Sequence, residues 1–324
     1  MGMESEAQSH IGGHITLFFT VEKEGRLLRN QGSRGVGLNI DHGVIASVKQ
    51  VSSDGQISDS TITIIDHEGE LLVDSEQQYR QLIDELVYAR LLQESYTYNI
   101  EITLQLPTSQ GMGMSAAGLI ALATAFRELT GEGNLDQYYR ICHRIERLRG
   151  SGLGDVLGIY AGGVEIRLQP GAPGASGRSL GFPCRQPVIV VWQPGETRHT
   201  SSYIDNPDWQ LKITQAGHRA LNKLKTGPWN HSRWSDILIQ SNNFSRESEL
   251  LEEAERKQLL NLVRKVVKDL ELQTHLSIRL CMLGVSVVIL PRKLNRQITK
   301  QELDQLNNSL IQLNLGSIIT SIAS

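Results

Sequence analysis

The sequence predicts a fold of mixed helix and sheet, and three observations carry that reading. A strand-patterned stretch opens the chain, a helical apolar stripe follows it, and a third segment delivers a glycine-rich loop from a strand to the start of a helix. In the first stretch, His14 to Val21, Gly35 to Ile40, Val44 to Val51 and Thr61 to Asp66 read as strands separated by Gly, Asp and Ser turns. From Glu76 to Glu94, Tyr79, Leu82, Ile83, Leu86, Val87 and Leu91 recur at helical spacing, with charge on the other face. Ile100 to Leu106 alternates apolar and polar residues as a half-buried strand does, and Pro107 ends it. Ala116 through Leu129 favours helix and stops at Thr130-Gly131, where glycine suits the residue after a helix.

Further along, Gln137 to Arg149 reads as an amphipathic helix and leads into a second glycine-rich stretch, Gly150-Ser-Gly-Leu-Gly-Asp155. Gly162 to Leu168 follows as a strand. Pro170 to Pro187 is rich in Gly, Pro and Ser and reads as a linker or mobile loop, so a domain boundary is placed there. Beyond it, Val188 to Trp192 and Leu283 to Leu290 read as buried strands, and Trp234 to Leu272 as mostly helix.

Composition narrows the function classes. The chain has 324 residues, 40% hydrophobic and 21% charged, enough for one large or two medium domains with a real core. A net charge of -3 supplies no basic field for nucleic acid. No apolar run approaches the roughly 20 residues of a membrane helix. The first ten residues have neither basic leader nor apolar core, so a cytoplasmic location is expected. Cys142, Cys184 and Cys281 are odd in number and widely separated, which argues against a disulfide framework, and no His or Cys spacing suits structural zinc.

Gly111-x-Gly113 between a strand and a helix gives close backbone approach, free amides and a positive dipole end, which together make an anion cradle. An ordinary strand-to-helix turn is the plainer alternative. Ser115 is placed either to cap the helix or to ligate a cation held against a triphosphate. No lysine follows the second glycine, which excludes the GxxxxGK[ST] loop.

Pro107-x-x-x-Gly111-Met-Gly113-Met-Ser115-Ala-Ala117 resembles the PxxxGLGSSAA phosphate loop of the GHMP kinases, with Met114 in place of the first serine. That replacement is similar to the archaeal pantoate kinase branch. His14-Ile15-Thr16 with Phe18 and Phe19, Gly32-Ser-Arg-Gly35, Gly152-Leu-Gly-Asp155 and Met282-Leu-Gly284 resemble further blocks of that branch. Leu17 stands where it has glycine, and Gly284-Val-Ser-Val-Val lacks the glycine-rich third motif of many members.

The resemblance implies a two-domain α+β fold with its active site in the inter-domain cleft. Residues 1–184 would form the nucleotide- and phosphate-binding domain, residues 185–324 the C-terminal domain, and the assembly would be a homodimer. The implied activity is ATP-dependent phosphorylation of pantoate on the way to coenzyme A. Another alcohol such as homoserine or mevalonate, or a non-catalytic metabolite sensor, are the alternatives. Pro107, Ser109, Gln110, Gly111, Met112, Gly113, Met114, Ser115 and Ala116 would bind the ATP phosphates. Ser115 and Glu146 would hold Mg2+, although Arg140, Arg144, Arg147 and Arg149 equally offer Glu146 an intrahelical ion pair. Asp155 would serve as base or orienting acceptor, with a helix cap as its alternative. A hydroxy acid substrate needs a guanidinium for its carboxylate, for which Arg34 is the first choice and Arg198 the second; His14 and Thr16 would bind the substrate hydroxyls.

Overall fold

The structure, a computed structural model, describes residues 5–323 apart from 25, 26, 53, 74, 197, 199, 225 and 297. The leaderless reading of the N-terminus therefore falls partly on residues 1–4, outside the described residues.

In chain order the first part runs β1 (Glu6–Phe19), β2 (Gly35–Ser52), β3 (Thr61–Ile65), α1 (Gln77–Tyr88), β4 (Thr97–Leu104), α2 (Met114–Thr130), α3 (Leu135–Arg149), α4 (Asp155–Ala161), β5 (Val164–Gln169) and β6 (Arg178–Phe182). The second part runs β7 (Pro187–Trp192), α5 (Ser201–Ile204), α6 (Pro207–Leu224), α7 (Trp234–Glu247), α8 (Ala254–Asp269), β8 (Leu276–Leu280), β9 (Ser286–Pro291), α9 (Lys300–Ile311) and β10 (Gly316–Ser321). Two sheets result. One has the order β3-β4-β2-β5-β6 with β1 also paired to β2, and the other has the order β10-β7-β9-β8.

β2 organises the first sheet. Its leading half, Gly35 to Leu38, pairs with β5, and its trailing half, Val44 to Ser52, pairs with β4, while β1 runs antiparallel along both. Asp41-His-Gly43, expected as a turn between two strands, is instead an irregularity within one continuous strand. The register with β1 shifts between Gly12 and His14, and this bend is where β2 changes partner. Gly43 faces Gly12 across the ladder, and a side chain at Gly43 would overlap the Ile11 carbonyl and the Gly12 backbone.

The Pro170 to Pro187 segment, expected as a linker, contains β6, which pairs with β5 and extends the sheet; its glycines and prolines fall mostly outside the strand. The strand expected from Leu283 starts only at Ser286, because Leu283 takes a positive φ of 72° in the turn before it. α4, α5, α6, α9, β8 and β10 were not anticipated from the sequence.

The core is continuous from sheet to sheet. α2 packs on β1 and β2 and is apolar on nearly every side, as a helix enclosed by protein must be. Phe18 and Phe19, at the end of β1, pack against Phe244 of α7 with tilted rings, 6.3 and 5.8 Å between centroids, tying the first sheet to the helices of the second part. Among the described residues, no helix is long and apolar enough to cross a membrane.

Replacing Gly43 by alanine is expected to cost about 2 kcal/mol or more of stability, since the overlap is with backbone atoms that cannot move aside. A urea midpoint equal to that of the unmodified chain would contradict this account of the bend.

Candidate active site

A cavity of about 460 Å³ lies where the glycine loop, the start of α4, the ends of β1 and β5 and the loops after β7 and β8 converge. Its size suits a small-molecule ligand. Its lining is mixed: Ile64, Leu72, Tyr79 and Leu104 supply apolar surface, and Thr16, Ser33, Asp155, Arg167, Arg198 and Thr200 supply polar groups.

The amino end of α2 also lines it. The residue before the helix is Gly113, left-handed at φ 65°, and no side chain caps it. The first amides of α2 are thus left for a ligand, with the helix dipole behind them. Ser115 is the second residue of α2 and does not cap it; its hydroxyl donates to Oε1 of Gln78 on α1 at 2.7 Å. Ser109 and Gly111 to Ala116 line the cavity, whereas Pro107 and Gln110 do not. Gln110 is buried and faces the second sheet. Its amide group donates to the Gln193 and Glu196 carbonyls, and its Oε1 accepts from the Val285 amide at 3.1 Å. Gly111 packs so closely on Met282 that a side chain there would strike the Met282 carbonyl.

The second glycine stretch works by close approach. A side chain at Gly152 would overlap the Glu146 carboxylate, and one at Gly154 would overlap Ser33 and Arg167. Gly154 precedes Asp155, the first residue of α4 and not its cap, and the Asp155 side chain keeps 24% of its surface exposed at the cavity wall. Behind it, His14 has no exposure. Its Nδ1 lies 2.7 Å from Asp155 Oδ1 and its Nε2 3.0 Å from Glu165 Oε1. Burial works against charge on the His14 ring, but the hydrogen bonds and charges of the two carboxylates outweigh it and raise the pKa. Burial likewise opposes ionisation of Asp155, and His14, Arg167 and Thr16 overcome it, lowering that pKa.

Arg167 is almost wholly buried yet reaches the cavity. It donates to the Ser33 hydroxyl at 2.9 Å and the Thr16 hydroxyl at 3.3 Å, and its Nε lies 3.2 Å from Glu165 Oε1. Arg34, the expected carboxylate partner, is absent from the lining. In the segment just before β2, Ser33 turns inward to Arg167 and Arg34 turns outward, where Nε and Nη2 bind Glu22 at 3.0 and 2.8 Å. Arg198 does line the cavity, 3.3 Å from Glu255, with its amide donating to the Ser109 carbonyl at 3.2 Å. Thr16 lines it too, whereas His14, expected to touch substrate, lies one layer beneath. Arg167 and Ser33 were missed. The signal available for Arg167 was Glu165-x-Arg167, two charges on one face of an otherwise apolar strand.

Glu146 is buried, and neither carboxylate oxygen has a hydrogen-bond partner among the described residues. Arg147 instead donates to the Gly152 carbonyl, and Arg144 pairs with Glu85, so neither neighbour neutralises Glu146 directly. Burial first, then repulsion from Asp155, pushes its pKa up to about 8. Glu146 is not in the cavity lining, but its two orphaned oxygens, packed against Gly152 of the second glycine stretch, fit a cation as partner. Among the described residues, no cluster of three or more His, Cys, Asp or Glu would hold a metal unaided. Ligand oxygens would have to complete the shell, as is usual for magnesium.

The profile of the GHMP kinases N terminal domain matches residues 81–163. A pantoate kinase of Methanospirillum hungatei is 30% identical over 244 residues, covering 74% of each chain. One of Thermococcus kodakarensis is 27% identical over 304 residues, 93% of this chain and 92% of that one. Among solved structures, a phosphotransferase related to the CoA biosynthesis pathway superposes with a TM-score of 0.72 at 22% identity, covering 98% of this chain and 96% of that one.

Glu146 also makes stability depend on pH. The unfolded side chain loses its proton near 4.5, whereas the folded one keeps it up to about 8, so the folded chain binds more protons between those values. Stability contributed by this site therefore falls as pH rises through that window. Glu146→Gln should remove that fall and melt about 3 °C or more above the unmodified chain at pH 8 without metal. Parallel Tm-versus-pH curves for the two chains would overturn the assignment.

Proposed function

This chain belongs to the GHMP kinases, and we propose that it transfers the γ-phosphoryl group of ATP to the primary hydroxyl of (R)-pantoate, giving (R)-4-phosphopantoate for coenzyme A synthesis. One observation carries the reading: the uncapped amino end of α2 and the Asp155 carboxylate face the same cavity, with the Arg167 guanidinium beside them. Phosphate binding, hydroxyl activation and carboxylate recognition are thereby gathered within reach of one small hydroxy acid. The relatives named pantoate kinase support the choice of acceptor. The division at residues 184 and 185, with a cleft between two domains, and a homodimeric assembly belong to the same proposal.

Phosphoryl transfer calls mainly for alignment and for neutralising charge on the phosphates. The α2 amides and the glycine loop supply donors to the β- and γ-phosphates, and the apolar lining residues Ile64, Leu72, Tyr79 and Leu104 receive the adenine. Ser115 and Glu146 are the residues proposed to hold Mg2+, which supplies charge neutralisation when bound with the nucleotide. Arg167, with Ser33 and Thr16, receives the pantoate carboxylate, and Arg198 and Thr200 of the same cavity lining are further donors to it. Asp155 accepts a hydrogen bond from the primary hydroxyl. That oxygen forms its bond to the γ-phosphorus as the bond to the ADP oxygen breaks, and its proton passes to Asp155 and then to water. A carboxylate with a lowered pKa is a weak base, which suits a loose transition state in which the proton leaves late.

With Mg·ATP, the chain should release ADP on addition of pantoate but not of homoserine, mevalonate or galactose; turnover of one of those alone would reject this acceptor. Ser115→Ala and Asp155→Asn should each lower kcat by about two orders of magnitude. Arg167→Met should raise KM for pantoate by roughly ten- to a hundredfold, the cost of losing a charged hydrogen-bond partner. Arg34→Ala should leave that KM within about twofold, as befits a residue outside the cavity. The reverse ranking of the two arginines would return the carboxylate to Arg34.

A further inference from the structure

We infer that Glu165, acting through His14, is a positioning residue that locks Asp155 and Arg167 into one array and so fixes the spacing between hydroxyl and carboxylate that an acceptor must present. The inference rests on the proposed reading, in which Asp155 and Arg167 receive the two ends of the acceptor.

Asp155 and Arg167 line the cavity, while His14 and Glu165 do not and have no solvent exposure. The buried pair joins the cavity-lining one without a gap. Asp155 meets His14 at 2.7 Å, His14 meets Glu165 at 3.0 Å, and the same Glu165 oxygen lies 3.2 Å from Arg167. Charges alternate along the row, carboxylate, imidazolium, carboxylate, guanidinium, so each buried charge has an opposite neighbour. That alternation is the condition under which buried ionic groups are tolerated.

The backbone is built around this row. Thr16, Gly37 and Glu165 are aligned across β1, β2 and β5, and a side chain at Gly37 would overlap both the His14 ring and the Glu165 carboxylate. A side chain at Gly158 on α4 would overlap the other side of that ring. The imidazole therefore sits in a slot between strand and helix and has no room to turn. Because Nδ1 and Nε2 both point at carboxylate oxygens, the ring donates from both nitrogens only as the cation.

Glu165 stands at the centre. Removing its charge would leave His14 one carboxylate short and Arg167 without its buried counter-ion, so both cavity-facing groups would lose their fixed positions. A residue that served packing alone would disturb neither end selectively, since Glu165→Gln preserves its shape.

The test uses the full chain with Glu165→Gln, kinetics with Mg·ATP and pantoate, and 15N spectra of histidine-labelled protein in which His14→Gln identifies the His14 signals. Glu165→Gln should raise KM for pantoate and lower kcat, each by about tenfold or more, while KM for ATP stays within about twofold. At about pH 7.5, both His14 nitrogens should carry protons in the unmodified chain, and one should lose its proton in the variant. A variant with kcat and KM for pantoate within about twofold of the unmodified chain would overturn the inference. So would a neutral His14 in the unmodified chain, a readout that decides the matter even if Glu165→Gln does not fold. An unmodified chain that phosphorylates no pantoate would reject the proposed acceptor instead, and the His14 spectra, which need no substrate, would still report on the array.

Discussion

The site depends on a constraint of charge compensation. Four ionisable side chains from β1, α4 and β5 lie together at the floor of the cavity, and His14, with no access to water, has its charged form favoured by the two carboxylates that flank it. Strand pairing brings the first sheet's share of this group together, because β1 and β5 both run beside the leading half of β2. The bend at Asp41 to Gly43 is what frees that half to pair with β5 while the rest of the strand pairs with β4. A feature of sheet geometry thereby decides which charges meet.

The same economy of space governs the phosphate loop. Gln110 points away from the cavity and spends its side chain on carbonyls and an amide of the second part of the chain, and Gly111 rests on Met282. The loop is braced from behind, which leaves the α2 amides on its front free of internal partners. Donors that hold their positions before the ligand arrives need no reorganisation when charge shifts during transfer.

Much of this was legible in the chain. The strand, glycine loop and helix around Gly111 to Ser115, the helix ending at Gly131 and the glycine stretch before Asp155 all follow from local rules that tertiary contacts reinforce. What escaped the sequence was orientation. Arg34 and Ser33 are neighbours, and nothing local says which of them faces the cavity until their distant partners, Glu22 and Arg167, are in place. Arg167 looked like an ordinary strand residue because its partners, Ser33 and Thr16, lie far away in the sequence. His14 was read as a group in contact with substrate, yet depth beneath a surface is a property of packing that one strand cannot encode. The turn expected at Asp41 to Gly43 failed for a related reason: Gly and Asp mark bulges as well as turns, and only the neighbouring strands distinguish the two.

The burial of α2 has one more consequence. Of its 17 residues, 11 are buried, so the helix runs through protein from the cavity to Phe126 and meets solvent chiefly in its last turn, Arg127 to Thr130, at the end away from the cavity. Surrounding water and mobile ions, which ordinarily damp the field of a surface helix, are kept away from its flanks. Its field lines are channelled through low-dielectric walls towards one opening, so the attraction for an anionic ligand is concentrated at the mouth of the cavity, although the chain as a whole carries a net charge of -3.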